Sequence, residues 1–505
     1  MKTKSEQLSL FNIIWIGFCF IAGITFTASF AAILGNDGVG LHIYWIFAVI
    51  GVIAFMCAWS FGKLVQVHPE ANGGGSQYTR VAFGKFWGLV MGLLNYAVIP
   101  VIGMALLVSM IRANFDGGEF NLVGYKDGEW GQWGSWGSLY LDLISYALYI
   151  FAITIIFLGL KKYKIFSTII GYSTWGLTII LMIFGLVGGS MNLIDGNNGF
   201  EHQQGAQLGF DNFASTFTTC FFAFCGIETF ITTGKNIKDR NKNMPIAIIV
   251  ILILTTLFYI IFTAIIMMAV TVDFEGNPNM QIFDAFNNDF LKTFGPILVV
   301  VCTILMRFNS SLQITLFGGA TLEPLASQKM LPGALNRENK DNIPVAGVLA
   351  TGSLFTFTFI LFILIPDLIQ GFRGEPTPFN YGTLASCASI ILISIYLLII
   401  AVVMVQGMRK NIKVRVWEYI AWTLTTIFLI FILALWAKGV VEGFISKELT
   451  SIIAGAFQLF YLVLIACAAI GIYFGYHKKQ MVKIQENKEE LNKLQEYEKV
   501  FTIIK

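Results

Sequence analysis

Two ionisable side chains stand in stretches that lipid should refuse. Glu228 lies in the apolar run 211–234 and Arg307 lies near the middle of the run 293–318. A charge at the centre of a spanning helix costs roughly 2.5–3.5 kcal/mol on insertion scales, so one that persists faces protein or water. Glu228 precedes the basic Lys235 by seven residues, roughly 10 Å of depth at about 1.5 Å per helical residue. A carboxylate there can take up a proton or hold an ammonium group, and a guanidinium can hold a carboxylate. The alternatives are a packing ion pair, the two groups paired with each other, or an arginine bonded to helix-end carbonyls. Asn309, Ser310 and Ser311 follow Arg307 directly. Their oxygens could ligate a hard cation such as sodium, or simply bond carbonyls of their own helix.

Backbone that leaves the helix inside a membrane is tolerated only where it lines a protected cavity. Two spans carry clusters that favour such a break: Ile21-Ala22-Gly23-Ile24-Thr25-Phe26-Thr27, and Phe224-Cys225-Gly226-Ile227-Glu228-Thr229. The alternative is that Gly23 and Gly226 only let neighbouring helices approach.

The elements that must position these residues follow from composition. Of 505 residues, 56% are hydrophobic and 12% charged, about half the charge of an ordinary soluble domain. That excludes a cytosolic enzyme, a disordered chain and a disulfide scaffold, and leaves an integral membrane protein. Twelve apolar runs of spanning length lie near 10–34, 42–66, 87–111, 139–160, 165–189, 211–234, 245–271, 293–318, 344–365, 379–405, 417–437 and 449–475. Continuous runs of this length are helices, since barrel strands alternate and are half as long. The expected fold class is an all-α membrane protein with twelve transmembrane helices.

With the N-terminus inside, the inward segments hold 26 of the 33 basic residues and the outward loops hold six. This bias predicts both termini in the cytoplasm and an uncleaved first helix. The seven cysteines fall in spans, and no CxxC or Cys/His cluster points to a metal. No cofactor, no nucleic acid partner and no enzymatic constellation is expected. The Trp130, Trp133, Trp136 cluster reads as an interfacial anchor. The tail 477–505 reads as a charged, solvated cytoplasmic helix, with weak contact to anionic headgroups as its further role.

The stretch Phe221-Phe222-Ala223-Phe224-Cys225-Gly226-Ile227-Glu228, followed by Gly234-Lys235-Asn236 and by Arg240-Asn241-Lys242-Asn243-Met244-Pro245, closely resembles the sixth-helix signature of the amino acid, polyamine and organocation (APC) transporter family. Pro69-Glu70-Ala71-Asn72-Gly73-Gly74-Gly75-Ser76-Gln77-Tyr78 is similar to that family's loop after helix two. Leu331-Pro332 and Ile343-Pro344 resemble its passage between helices eight and nine. These motifs keep their order and spacing from Pro69 to Pro344.

The resemblance implies a LeuT-like five-plus-five inverted repeat, 10–189 and 211–405, with two further helices in 406–476 and a nine-residue cytoplasmic start. Helices one and six would unwind around a substrate, an amino acid or related amine. Ala22, Gly23, Ile24 and Thr25 would line one break, and Ala223, Phe224, Cys225 and Gly226 the other, with Phe224 as a gate. Glu228 and Arg307 would serve coupling or proton transfer, and Ser310 and Ser311 a cation. The function implied is secondary active transport across the plasma membrane, as symporter or antiporter, with H+ or Na+ as coupling ion, by a monomer or homodimer among membrane lipids. A channel or a non-transporting nutrient sensor on the same scaffold is the alternative.

Three departures stand out. Ile21 replaces the first glycine of the helix-one motif, the acidic residues usual beyond Glu228 are Thr233, Gly234 and Lys235, and Ser173 falls where some proton-coupled relatives place a lysine.

Overall fold

The computed structural model describes residues 9–35, 38–68, 75–117, 121–126, 128–202, 207–224, 226, 238–270, 277–286, 288–337, 339 and 343–499. Ten helices among them are long and apolar enough to cross a membrane, and they coincide with ten of the twelve expected spans. The remaining two, 10–34 and 211–234, are those in which a break was expected. Leu10–Ile21 ends after 12 residues and Phe210–Phe222 after 13.

Helix ends obey local chemistry. The Ser9 hydroxyl accepts from the Asn12 amide at 3.3 Å, and the Asn288 and Asn380 side chains accept from the Leu291 and Thr383 amides at 3.2 and 2.9 Å. Each bond satisfies a first-turn N–H that lacks a helical partner. The helices then run well past the expected boundaries, through charged residues such as Lys161, Lys162 and Glu323. The fifth span runs Leu160–Ile194 and the eighth Asp289–Ser327, the latter through Pro324, close enough to the C-terminal end to leave most of the helix's hydrogen-bond ladder intact.

Three helices form the centre. Lys85–Met110 is buried along most of its length, as are Tyr381–Met408 and the C-terminal half of Asp289–Ser327. The outer helices expose apolar side chains instead, for example Ile169, Ile183 and Leu186 on one and Ile420, Leu424 and Ile427 on another. Faces of this kind belong against lipid tails.

Charge inside the bundle is more extensive than the span count implied. Arg112 follows the end of Lys85–Met110 and was counted with an outer loop; it is buried between Asp142, at 2.9 Å, and Asp367, at 3.4 Å, both 1% exposed. Lys63 and Glu418 form a second ion pair at 2.8 Å, and the Trp59 indole N–H donates to Glu418 at 2.8 Å.

The tryptophan cluster is only partly covered. The Trp130 indole donates to the Gly374 carbonyl at 3.1 Å, Trp136 packs edge-on against Phe372 with ring centroids 4.9 Å apart, and Trp133 stays exposed. A short hairpin, Tyr125–Lys126 with Glu129–Trp130, leads into it.

The tail is not a free solvated helix. Lys488–Lys499, which follows Lys478–Glu486, meets Ser76–Phe83, the short helix after the second span, and the end of Asp289–Ser327. Glu498 pairs with Arg80 and, at 3.3 Å, with Lys85; Gln77 donates to the Tyr497 hydroxyl at 2.6 Å; Lys329 meets Glu490 at 3.3 Å. Ile484 and Leu494 are buried there. Their helical spacing is amphipathic because the apolar side is buried against the rest of this chain.

Candidate functional site

The first break opens at Ala22. Its N–H closes the last turn on the Phe18 carbonyl at 2.8 Å, while its own backbone and that of Gly23 are extended. A 3-10 turn, Ile24–Ser29, resumes the helix. The Thr27 hydroxyl donates to the Ile24 carbonyl at 2.7 Å and accepts from the Asn279 side-chain amide at 2.6 Å, which ties this segment to the short helix Pro278–Gln281 ahead of the eighth span. Gly23 leaves no room for a side chain: a Cβ there would stand 2.0 Å from the Met306 sulfur.

The second break begins at Ala223. Phe210–Phe222 ends, one further turn closes on Cys220 and Phe221, and Gly226 takes the left-handed region at φ 121°. Both interrupted helices end with their carbonyl groups facing one centre, and Tyr259 reaches both. Its hydroxyl stands 3.0 Å from the Ile21 carbonyl oxygen and 2.7 Å from that of Ala223. A hydroxyl has one proton to give, so the two carbonyls share it.

A cavity lies between the breaks, with about 470 Å³ of space free of protein atoms, open solvent included. Phe20, Ile21, Gly23 and Phe26 line it from the first span, Phe222, Ala223 and Gly226 from the sixth, and Ile102 and Leu106 from the third. Tyr259, Arg307, Ser310 and Tyr381 close it with polar atoms. Its mixed apolar and polar lining suits a small molecule with polar groups.

Arg307 is 7% exposed, and its guanidinium carbon lies 5.6 Å from the centroid of the Tyr381 ring. This is cation–π distance. The Ser310 hydroxyl donates to the Met306 carbonyl of its own helix at 3.1 Å, and Ser311 is buried outside the lining. Asn309 accepts from the Ser167 hydroxyl at 2.8 Å, which fastens the eighth span to the fifth.

Of the residues singled out from sequence, Gly23, Ala223, Gly226, Arg307 and Ser310 meet in the cavity. Ala22 and Ile24 are buried behind the break, Thr25 falls within the 3-10 turn, and Phe224 packs edge-on against Tyr259 with centroids 5.2 Å apart. Cys225 and Glu228 lie outside the described residues. Among the described residues no group of three His, Cys, Asp or Glu is placed to hold a metal. Sequence reasoning missed Tyr259 and Tyr381. The signal was available for Tyr259, a phenol in the middle of an apolar run, but only charges were weighed there.

Residues 12–488 match the family model described as amino acid permease. The chain belongs to the amino acid permease family. That family consists of transporters rather than enzymes, and with ten apolar helices of spanning length the chain is a multi-pass membrane protein. It is 22% identical over 332 residues to "Cationic amino acid transporter 2, vacuolar" of Arabidopsis thaliana, over 64% of this chain and 50% of that protein. To "Inner membrane transport protein YbaT" of Escherichia coli (strain K12) it is 22% identical over 442 residues, 86% of this chain and 92% of that one. To "Glutamate/serine transporter AimA" of Bacillus subtilis (strain 168) it is 26% identical over 228 residues, 43% and 39% of the two chains. The chain spans about half the length of the cationic amino acid transporters it matches.

Proposed function

We propose that this permease is a secondary transporter that carries an amino acid or related amine across the plasma membrane by alternating access. The observation that carries the reading is the convergence of two interrupted helices on one cavity, with the carbonyls of Ile21 and Ala223 bound to a single hydroxyl. Carbonyls at the negative end of a helix attract an ammonium group, and interrupted helices are how transporters of this kind expose backbone to a substrate at mid-membrane.

In this reading the chain crosses the membrane twelve times, with 10–189 and 211–405 as inverted repeats and both termini cytoplasmic. The 26-to-6 split of basic residues supports the orientation. Backbone at Ala22–Thr25 and Ala223–Gly226 holds the substrate, and Glu228, close beyond the second break in sequence, serves coupling. The matched relatives are named for cationic amino acids in one case and for glutamate and serine in another, so likeness alone leaves the side chain of the substrate open.

The test is uptake by purified protein in liposomes, using labelled amino acids and amines with imposed proton and sodium gradients. Saturable uptake of at least one amino acid, driven by one gradient or by exchange, is expected. Absence of uptake for the whole panel contradicts the reading.

A further inference from the structure

Away from the cavity, one group of buried charges holds more acid than base. Arg112, Asp142 and Asp367 are all buried. Nη1 of Arg112 meets Oδ2 of Asp142 at 2.9 Å and Oδ1 of Asp367 at 3.4 Å. The two carboxyl groups also stand within hydrogen-bonding reach of each other. Each keeps one buried oxygen, Oδ1 of Asp142 and Oδ2 of Asp367, that meets no donor. Among the described residues no further titratable side chain acts on the two acids. The other group that acts on Arg112 is Asp116, an exposed acid, so it adds negative charge and relieves none.

The fold holds the trio at one end of the bundle. Arg112 follows Lys85–Met110, and Lys85, the first residue of that helix, meets the docked tail at Glu498. The 26 residues between them, at about 1.5 Å each, span roughly 40 Å, so the trio stands at the face opposite the tail. Asp142 lies in the second turn of Gly137–Phe157. Asp367 opens Ile365–Arg373, the continuation of the ninth span beyond a π turn at Ile360–Leu364 and Pro366; such widened turns often accompany functional sites. The segment Gly134–Trp136, which has no titratable side chain, is fastened to the same end. Gln370 donates to the Ser135 carbonyl at 3.0 Å, Ser135 donates to the Gly371 carbonyl at 3.1 Å, and a Cβ on Gly371 would stand 2.6 Å from the Trp136 ring.

Two carboxylates beside one guanidinium leave an uncompensated anion in a buried space, and neighbouring like charges there disfavour each other. One proton removes both problems. The protonated carboxyl gains an O–H that donates to the other, as in acid pairs that share a proton. Arg112 lies nearer to Asp142 than to Asp367, so the negative charge stays on Asp142 and the proton rests on Asp367.

We infer that Arg112, Asp142 and Asp367 form a proton-binding site, separate from the cavity, in which Asp367 keeps one proton at neutral pH and donates it to Asp142. The site joins the ends of the third, fourth and ninth spans, and the bond between the two acids lasts only while the proton is bound. In the unfolded chain both acids are ionised at neutral pH. The folded chain then holds one proton more, and by linkage its stability falls as pH rises until that proton leaves. An acid held ionised by a salt bridge would give the opposite sign.

The experiment compares the full chain in detergent micelles as wild type, Asp367→Asn and Asp142→Asn. The infrared difference between wild type and Asp367→Asn at neutral pH should contain the C=O stretch of one protonated carboxyl, and raising the pH should remove it. An amide keeps the shape of the protonated acid, so Asp367→Asn should unfold near the wild-type midpoint at neutral pH. Around that pH the wild-type folding equilibrium should weaken about tenfold more per pH unit than that of Asp367→Asn, the slope of one proton. Should Asp367→Asn not assemble, as judged by size exclusion, Asp142→Asn decides: a single carboxyl beside Arg112 needs no proton, so the band should again be lost. Absence of the band from folded wild type, or parallel pH dependence of the wild type and a folded variant, overturns the proposal. Sodium that raises the wild-type midpoint at fixed pH, and not that of Asp367→Asn, overturns it as well, because a metal cation would then take the place of the proton. None of these measurements reads transport, so their outcome is independent of the function proposed above.

Discussion

The hydroxyl of Tyr259 stands 2.7 Å from the carbonyl oxygen of Ala223 and 3.0 Å from that of Ile21, and shares its one proton between them. One side chain of the seventh span thus binds the last carbonyls of two interrupted helices and sets their separation. Tyr259→Phe keeps the ring, which packs on Phe26 with centroids 4.3 Å apart. Stability should fall by only about 1 kcal/mol, the worth of one hydrogen bond, while KM for the substrate rises several-fold as the breaks lose their register. Thermal unfolding and uptake kinetics on the same preparation check this; an unchanged KM would remove the positioning role.

The two glycines of the breaks should respond differently to a methyl group. At Gly23 the obstacle is the Met306 side chain, 2.0 Å from an added Cβ, while the backbone is extended and unstrained. At Gly226 the backbone itself, at φ 121°, excludes an ordinary side chain. Gly23→Ala should lose about 1–3 kcal/mol through overpacking and recover most of it in combination with Met306→Ala. Gly226→Ala should not recover when Phe20, whose ring lies 2.5 Å from the added Cβ, is also cut to Ala. Unfolding midpoints of the four variants test the contrast, and rescue at both sites would sink it.

Arg112 between Asp142 and Asp367 makes a second prediction about burial. Arg112→Met leaves two carboxylates in a site where each is 1% exposed, so stability should fall by about 3–5 kcal/mol. Asp367→Asn keeps the 2.9 Å pair of Arg112 with Asp142 and should cost less than about 1 kcal/mol. Comparable losses for the two variants in thermal unfolding would contradict this arrangement.

The docked tail can be loosened without unfolding the bundle. Glu498→Lys turns the contacts with Arg80 and Lys85 repulsive, yet partly exposed ion pairs contribute little to overall stability. Hydrogen exchange in 488–499 should quicken severalfold at an unchanged unfolding midpoint. Exchange as slow as in the wild type would mean that Leu494 and Ile484 hold the tail alone.

Glu228 is the acid closest in sequence to the second break. If it is the coupling group, Glu228→Gln should flatten the pH dependence of uptake, since the amide cannot take up a proton. A pH profile parallel to that of the wild type would take the role away from Glu228.

Much of this architecture was legible in the sequence because lipid imposes a simple rule. A helix must be apolar for about 20 residues, and departures such as Gly23, Gly226 and Arg307 then show against a plain background. Helix boundaries were less legible, since Leu160–Ile194 and Asp289–Ser327 continue through charged residues such as Lys161, Lys162 and Glu323, past the apolar runs from which the spans were read. Contacts made across the bundle were not legible at all. Asp142 and Asp367 are 225 positions apart in the chain and share Arg112 only after folding. Tyr259 looks like one more aromatic in an apolar run until two helix ends meet at its hydroxyl, and the tail's apolar spacing showed a face without naming what would cover it.

Solute counterflow tests the central claim most directly, because only a site that faces the two sides in turn can exchange one molecule for another. Liposomes preloaded with an unlabelled substrate amino acid and diluted into a trace of its labelled form should accumulate label transiently above equilibrium, saturably, and Gly226→Ala should abolish the overshoot. Linear flux of label without an overshoot would contradict a carrier and favour an open pathway.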